Sequence, residues 1–244
     1  MIFKLLIIFY ILLPTYSYLQ NTIHFGRFNS VNIFKPSFTS KSNTSAIIFF
    51  RGGSSIMPPD IYTKFIDSLV DQNIAVYCPF FRFNKNKELI SDLSQEYKSI
   101  SVLGHSSGCS TAINFCQNEN KIKKIILLDP VDTFYFTNIT IKLPYIRKIL
   151  YLIASKTYSF TFDPSGIPFI PFLGYKSIKK KILTTPSTIV KCSKENDFGH
   201  SDILDIPYSN LMHYTRISVG NKIRTKKVLH NYIKQLSFNI SKFI

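Results

Sequence analysis

Apolar residues fall along this chain in two patterns. Short apolar runs at 46–50, 74–78, 125–128 and 149–153 have the length of strands buried on both faces of a sheet, and 100–103 and 188–192, broken by Ser101 and Lys191, read as two further strands. Helical spacing alternates with them. Residues 59–70 place Ile61, Phe65, Ile66 and Leu69 on one face, and 88–97 predicts a second helix. Cys109, Ala112, Ile113 and Cys116 stand at i, i+3, i+4 and i+7. Residues 222–236 predict a last amphipathic helix, with Leu229, Tyr232, Ile233 and Leu236 inward and the lysines outward. Strands alternating with helices predict an α/β fold, a mostly parallel central sheet with helices on both faces. No internal repeat or second domain is visible.

The start of the chain reads differently. After Lys4, residues 5–13 carry no polar side chain beyond Tyr10, Pro14 breaks the run, and Thr15 and Ser17 are small. This is the pattern of a secretory signal peptide over residues 1–17. The run is too short to span a bilayer, which takes about 20 apolar residues. Residues 18–45 contain no acidic residue and are rich in Ser, Thr and Asn. That composition suits a transit-like segment, reached through the secretory route and leading to a plastid. The other reading, which we favour, makes 31–34 a first strand. The expected destination is secreted, endomembrane or plastid, and the domain proper occupies 46–244.

Composition narrows the class. Hydrophobic residues make up 45%, with 22 Phe and 14 Tyr, which excludes a disordered chain. The 30 Lys and Arg outnumber 14 Asp and Glu, for a net charge of +16. The basic residues are scattered, with short runs only at Lys179–Lys181 and Lys226–Lys227. A nucleic-acid partner would want a basic stripe with interleaved aromatics, which is missing. We read the excess chiefly as compositional, part of an enrichment in Lys, Asn, Ile, Phe and Tyr, the residues of AT-rich codons; attraction to a lipid surface is the other reading. Cys78, Cys109, Cys116 and Cys192 show no ligand spacing, so no metal or other cofactor is expected. The first three sit in apolar contexts and read as core hydrophobes.

The chemistry concentrates at Gly104-His105-Ser106-Ser107-Gly108. A G-x-S-x-G pentapeptide alone is weak, but here an apolar strand precedes it and a small-faced helix follows. That is the context of a nucleophile elbow, a turn so tight that its flanks must be small. Ser106 is then the nucleophile. It needs a base, and the base needs an orienting carboxylate, in chain order Ser, Asp, His. His200 follows the last predicted strand and a Gly-containing turn. His105 occupies the variable position of the elbow. Asp129 ends the strand after the elbow helix and is preferred, with Asp132 the near alternative and Asp197 only three residues from His200. The oxyanion donors expected are the N–H of Ser107 and a second N–H from the turn after the first strand, that of Gly53. The apolar, Pro-rich segment 166–175 offers Phe169 and Phe172 as substrate-binding residues.

These pieces together resemble chlorophyllase, an α/β-hydrolase family that splits the phytyl ester of chlorophyll. Residues 46–53 resemble its strand and oxyanion turn, and 104–108 its G-H-S-x-G elbow. Leu128-Asp129-Pro130-Val131-Asp132 is similar to its D-P-V-D segment, and residues 198–205 to its G-H-x-D-x-L-D segment. The likeness covers about residues 31 to 240 and thins between 133 and 187. It implies an α/β-hydrolase fold without a large cap domain. It also implies a triad on Ser106, Asp129 and His200, and a hydrophobic ester substrate. Three residues depart from the family: Arg51 for the usual His, Ser107 for Arg, and Cys109 for Gly. A broader lipase or carboxylesterase, including the platelet-activating-factor acetylhydrolase type, is the alternative. A non-catalytic, secreted hydrolase-like binding protein is another.

Overall fold

The computed structural model describes residues 21–24, 30–36, 45–53, 55, 57–80, 85–131, 140–154, 161–162, 168–169, 178–195, 198–214 and 223–244. The apolar runs form the middle of an eight-stranded sheet. Its strands are β1 (Asn21–His24), β2 (Ser30–Phe34), β3 (Ser45–Phe50), β4 (Ile74–Pro79), β5 (Ser99–His105), β6 (Lys124–Leu128), β8 (Lys148–Ala154) and β12 (Ile189–Glu195), in spatial order β1-β2-β4-β3-β5-β6-β8-β12. From β4 to β12 every pairing is parallel. The two N-terminal strands add on antiparallel. The 31–34 run is therefore a strand, and β1 is one that its polar sequence did not announce. The two-residue strands β7 (Ile141–Lys142) and β11 (Ile182–Leu183) pair with each other, as do β9 (Thr161–Phe162) and β10 (Pro168–Phe169).

Alternation along each strand divides the apolar residues between two cores. Ala46, Ile48, Val102, Ile125 and Ile149 face the layer built on α2 (Asn86–Glu96) and α3 (Gly108–Cys116). Ile47, Phe49, Leu103, Ile126 and Leu150 face the layer built on α1 (Thr63–Val70) and α5 (Lys226–Phe243). A short helix, α4 (Tyr208–Tyr214), also joins this second layer through Tyr208 and Met212. With helices over both faces, the central strands β3, β4, β6 and β8 are almost wholly apolar because neither side meets water, whereas Ile189, Val190, Lys191 and Cys192 of the edge strand β12 are exposed.

Two helix boundaries differ from expectation. Residues 59–62 are a 3-10 turn that only then becomes α1; Pro58 and Pro59 have no N–H to donate there. The last helix starts at Lys226 rather than 222, because Thr225 has extended backbone and its hydroxyl accepts from Val228 N–H at 3.4 Å. It continues past 236 because Ile240 and Phe243 prolong the buried stripe beyond buried Ser237. All four cysteines are free, with Cys78, Cys109 and Cys116 buried and Cys192 exposed. Residues 1–20, and with them the expected signal peptide, lie outside the described residues.

Candidate active site

The carboxyl ends of β3, β5, β6 and β8 make one rim, and the candidate residues collect there. β5 ends at His105 and α3 begins at Gly108, so Ser106 and Ser107 alone turn the chain. Ser106 has φ 56°, a left-handed conformation that a serine holds only when its surroundings enforce it. They do so by backbone bonds. Ser106 N–H donates to Leu128 O at 3.0 Å, and Ser106 O accepts from Cys109 at 3.1 Å and Val131 at 3.2 Å. A Cβ on Gly104 would lie 2.6 Å from Cys109 Cα, and one on Gly108 would lie 2.3 Å from the carbonyl oxygens of Phe50 and Arg51. Both flanks must therefore be glycine for strand and helix to meet. Cys109 is buried, its Sγ donates to Leu128 O at 3.5 Å, and burial raises its thiol pKa well above the ordinary range. It stays a thiol and does not compete as a nucleophile.

Asp129 follows β6, also at positive φ (41°), with its N–H on Leu152 O at 2.8 Å. Its Oδ2 lies 3.4 Å from His200 Nδ1, both side chains nearly buried. At that length the two groups face each other without a good hydrogen bond. Among the described residues Ser106 and His200 share no hydrogen bond. Behind His200 and Asp129 lies a cavity of about 20 Å³, bordered by His105, Leu152 and Tyr232, enough for about one water. Asp132 and Asp197 lie outside the described residues.

The His200 loop is held from its C-terminal side. Asp202, fully buried, accepts from Gly199 N–H at 2.8 Å and Ser209 Oγ at 3.2 Å, and meets Arg224 Nε at 3.5 Å. Burial raises its carboxyl pKa, and those donors oppose the rise. Arg224 also covers the Phe198 ring at 5.0 Å, and that ring stacks on Tyr232 at 3.8 Å. Three residues on, Asp205 accepts from Lys64 N–H at 3.0 and 3.3 Å, at the start of α1.

The second expected donor lies in the turn after β3. Gly52 N–H is taken by Tyr62 Oη at 3.0 Å. The next amide belongs to Gly53, exposed and at φ 61°. Ser107, at the head of α3, stands across the same rim. Arg51, the departure from the family's His, is fully buried. Its Nη2 donates to Pro79 O at 2.6 Å and Ser55 O at 3.3 Å, while Nε and Nη1 find no acceptor. Burial lowers its guanidinium pKa. Arg51 thus ties the turn to the end of β4. Phe169 is placed only as backbone of β10, and Phe172 lies outside the described residues. Among the described residues no cluster of three or more His, Cys, Asp or Glu could hold a metal, and no helix is long and apolar enough to cross a membrane.

Two residues here escaped sequence reasoning. His105, buried, places Nδ1 2.9 Å from Tyr62 Oη and Nε2 3.0 Å from His200 O, and its ring stacks on that of His200 with centroids 4.8 Å apart. Tyr62 is its partner from the 3-10 turn. Nothing in local spacing marks either, since the contacts span 43 and 95 residues.

No protein-family model matches the chain, and neither does any curated protein. Solved structures do. The native form of an esterase from the Planctomycetes species Thermogutta terrifontis is 13% identical, with a TM-score of 0.55 over 92% of this chain and 95% of that one. Thermogutta terrifontis esterase 2 phosphonylated by cyclosarin is 13% identical, TM-score 0.52, over 81% and 90%. A sugar hydrolase (YeeB) from Lactococcus lactis is 12% identical, TM-score 0.57, over 91% and 97%. At such identities the likeness is one of fold. Together with the strand order and the strand–turn–helix at Ser106, it shows that this chain has the α/β-hydrolase fold, with no large cap among the described residues.

Proposed function

We propose that the protein is a serine ester hydrolase working through Ser106, His200 and Asp129. The observation that carries the reading is Ser106 held at positive φ on the strand–helix junction, on the same rim as the Asp129–His200 pair. Ser106 Oγ attacks the ester carbonyl as His200 takes its proton, with Asp129 orienting the imidazole. The tetrahedral oxyanion is received by the N–H groups of Gly53 and Ser107. Collapse expels the alcohol, protonated by His200. Water, activated by the same imidazole, then releases the acid and regenerates the serine. The Ser106–His200 contact closes with substrate bound, as catalytic contacts often do. The whole apparatus must supply at least about 8 kcal/mol of barrier lowering. Ser106→Ala should abolish both turnover of p-nitrophenyl butyrate and labelling by a fluorophosphonate. Unchanged turnover would end the proposal.

The substrate class is a hydrophobic ester, and the phytyl ester of chlorophyll is its sharpest form. The likeness of residues 128–132 and 198–205 to the chlorophyllase segments supports it. Release of chlorophyllide from chlorophyll by the purified protein tests it. Cleavage of short esters alone would favour the broader carboxylesterase reading, which Arg51 and Cys109, both departures from that family, support. A greasy substrate resides in lipid, and the rim carries a surface suited to it. Exposed Ile223 and Val228 flank Lys226 and Lys227, joined to the His200 loop through Arg224. No acidic residue follows Asp205 in the chain. Co-sedimentation with anionic but not neutral vesicles is expected, and equal recovery with both would refute the contact. Entry into the secretory pathway through residues 1–17 completes the reading, and a fluorescent fusion of residues 1–45 separates secretion from plastid delivery.

A further inference from the structure

We propose that His105 is a positioning residue that locks the His200 loop to the oxyanion turn through Tyr62. The inference rests on the hydrolase reading of the site and goes beyond it, because the elbow's second position carries no role in that mechanism.

Hydrogen-bond direction is fixed link by link. His200 O is a carbonyl and can only accept, so His105 Nε2 carries the proton at 3.0 Å. A neutral ring then has a lone pair on Nδ1, and Tyr62 O–H must donate to it at 2.9 Å. Tyr62 Oη, having given its proton, accepts from Gly52 N–H at 3.0 Å. The chain runs one way, from the turn after β3 to the main chain of His200. Burial keeps the His105 ring neutral, and the nearby His200 pushes in the same direction; the Tyr62 hydroxyl is likewise held protonated by burial.

Two consequences follow for the rim. The Gly52 amide is withdrawn from the oxyanion hole, which leaves the role to Gly53. A Cβ on Gly52 would crowd Tyr62 Oη at 3.0 Å and Met57 Sδ at 3.3 Å and press on the relay. The His200 imidazole also lies on the His105 ring at a 29° interplanar angle. The ring therefore holds the base both by its carbonyl and by its face. Turn and base shift together or not at all.

Glutamine and asparagine separate the two ends of the ring. Gln can place an N–H near the Nε2 position and so reach His200 O; Asn reaches only the Nδ1 position. The expected result with p-nitrophenyl butyrate is that His105→Asn lowers kcat about 100-fold with little change in KM, the scale of a 1 Å misplacement. His105→Gln should recover to within about tenfold of wild type, and Tyr62→Phe should fall between. A core-filling role predicts instead that both His105 variants lose thermal stability alike while the folded fraction keeps its kcat, and that outcome overturns the proposal. Nitrogen NMR of the histidine rings in the wild-type protein gives a second readout needing no substrate. His105 should be the Nε2–H tautomer and remain neutral at pH 6.5, where an ordinary imidazole is half protonated. An Nδ1–H tautomer refutes the relay, whereas a wild-type protein inert to every ester and phosphonate refutes the hydrolase reading and leaves the tautomer test standing.

Discussion

Substituting Gly108 by alanine pits two effects of opposite sign at one position. Gly108 opens α3, and in a helix alanine outranks glycine by about 1 kcal/mol. Propensity alone therefore predicts a more stable protein. Against it stands the new methyl, 2.3 Å from the carbonyl oxygens of both Phe50 and Arg51, roughly 1 Å inside ordinary contact. Both obstacles are backbone, so no rotamer change relieves them. β3 is fixed between β4 and β5, and Arg51 is moored to Pro79 O. The helix has to back away instead, carrying Ser107 and Ser106 with it. Overpacking of this kind costs about 1–3 kcal/mol or more. With both obstacles fixed, the cost falls at the upper end, about 3 kcal/mol, so the clash wins by about 2 kcal/mol, a fall in Tm of about 4–8 °C for a chain of this size. The displaced elbow should react about 100-fold more slowly with a fluorophosphonate. Thermal melts and labelling rates measure the two consequences separately. A variant at least as stable as wild type, with its labelling rate intact, would show that strand and helix do not meet as tightly as described.

Other perturbations probe the remaining supports. Asp129→Asn leaves the shape of the site but removes the charge facing His200, and kcat on a short ester should drop by about three to four orders of magnitude; a loss under tenfold would discredit Asp129 as the orienting group. The Asp205 carboxyl, half-buried against the start of α1, is pushed up to about 7 from the ordinary 3.8, chiefly by loss of hydration. The folded state thus keeps a proton that the unfolded chain releases near pH 4. That contribution to stability is fully present below about pH 4 and is lost as pH rises to about 7, a change of the order of a few kcal/mol. Asp205→Asn should flatten the dependence of the urea midpoint between pH 4 and 7, and an unchanged slope would contradict the assignment. Arg224→Met leaves the Asp202 carboxylate with only Gly199 and Ser209. It should destabilise by about 3 kcal/mol, and equilibrium unfolding showing no loss would mean that the pair contributes nothing.

Much of the fold was legible because its central strands are covered on both sides, so burial wrote itself as apolar runs. The elbow was legible for a related reason: a serine turn between such a strand and a small-faced helix has few other structural meanings. Local sequence failed where stability comes from elsewhere. β1 is four residues of mixed polarity at the sheet edge, with no apolar signature of its own. The last helix was cut short because Ser237 and Asn239 interrupt the pattern, although Ile240 and Phe243 resume it on the same face. Asp129 and His200 could be chosen by their places after strands. The role of His105 could not, since it depends on a tyrosine and a carbonyl that only the folded chain brings alongside.

The strand β2 restricts where this polypeptide tolerates being cut. Val31 and Ile33 are buried in the layer beneath α2, and the strand hydrogen-bonds along β4. Just beyond it Lys35 pairs with Glu96 at 2.7 Å. A peptidase acting after residue 36 would strip two strands and leave the backbone of β4 open as a sticky margin. Maturation that preserves the whole sheet must therefore stop short of Asn21, where β1 begins, however the leader upstream is read.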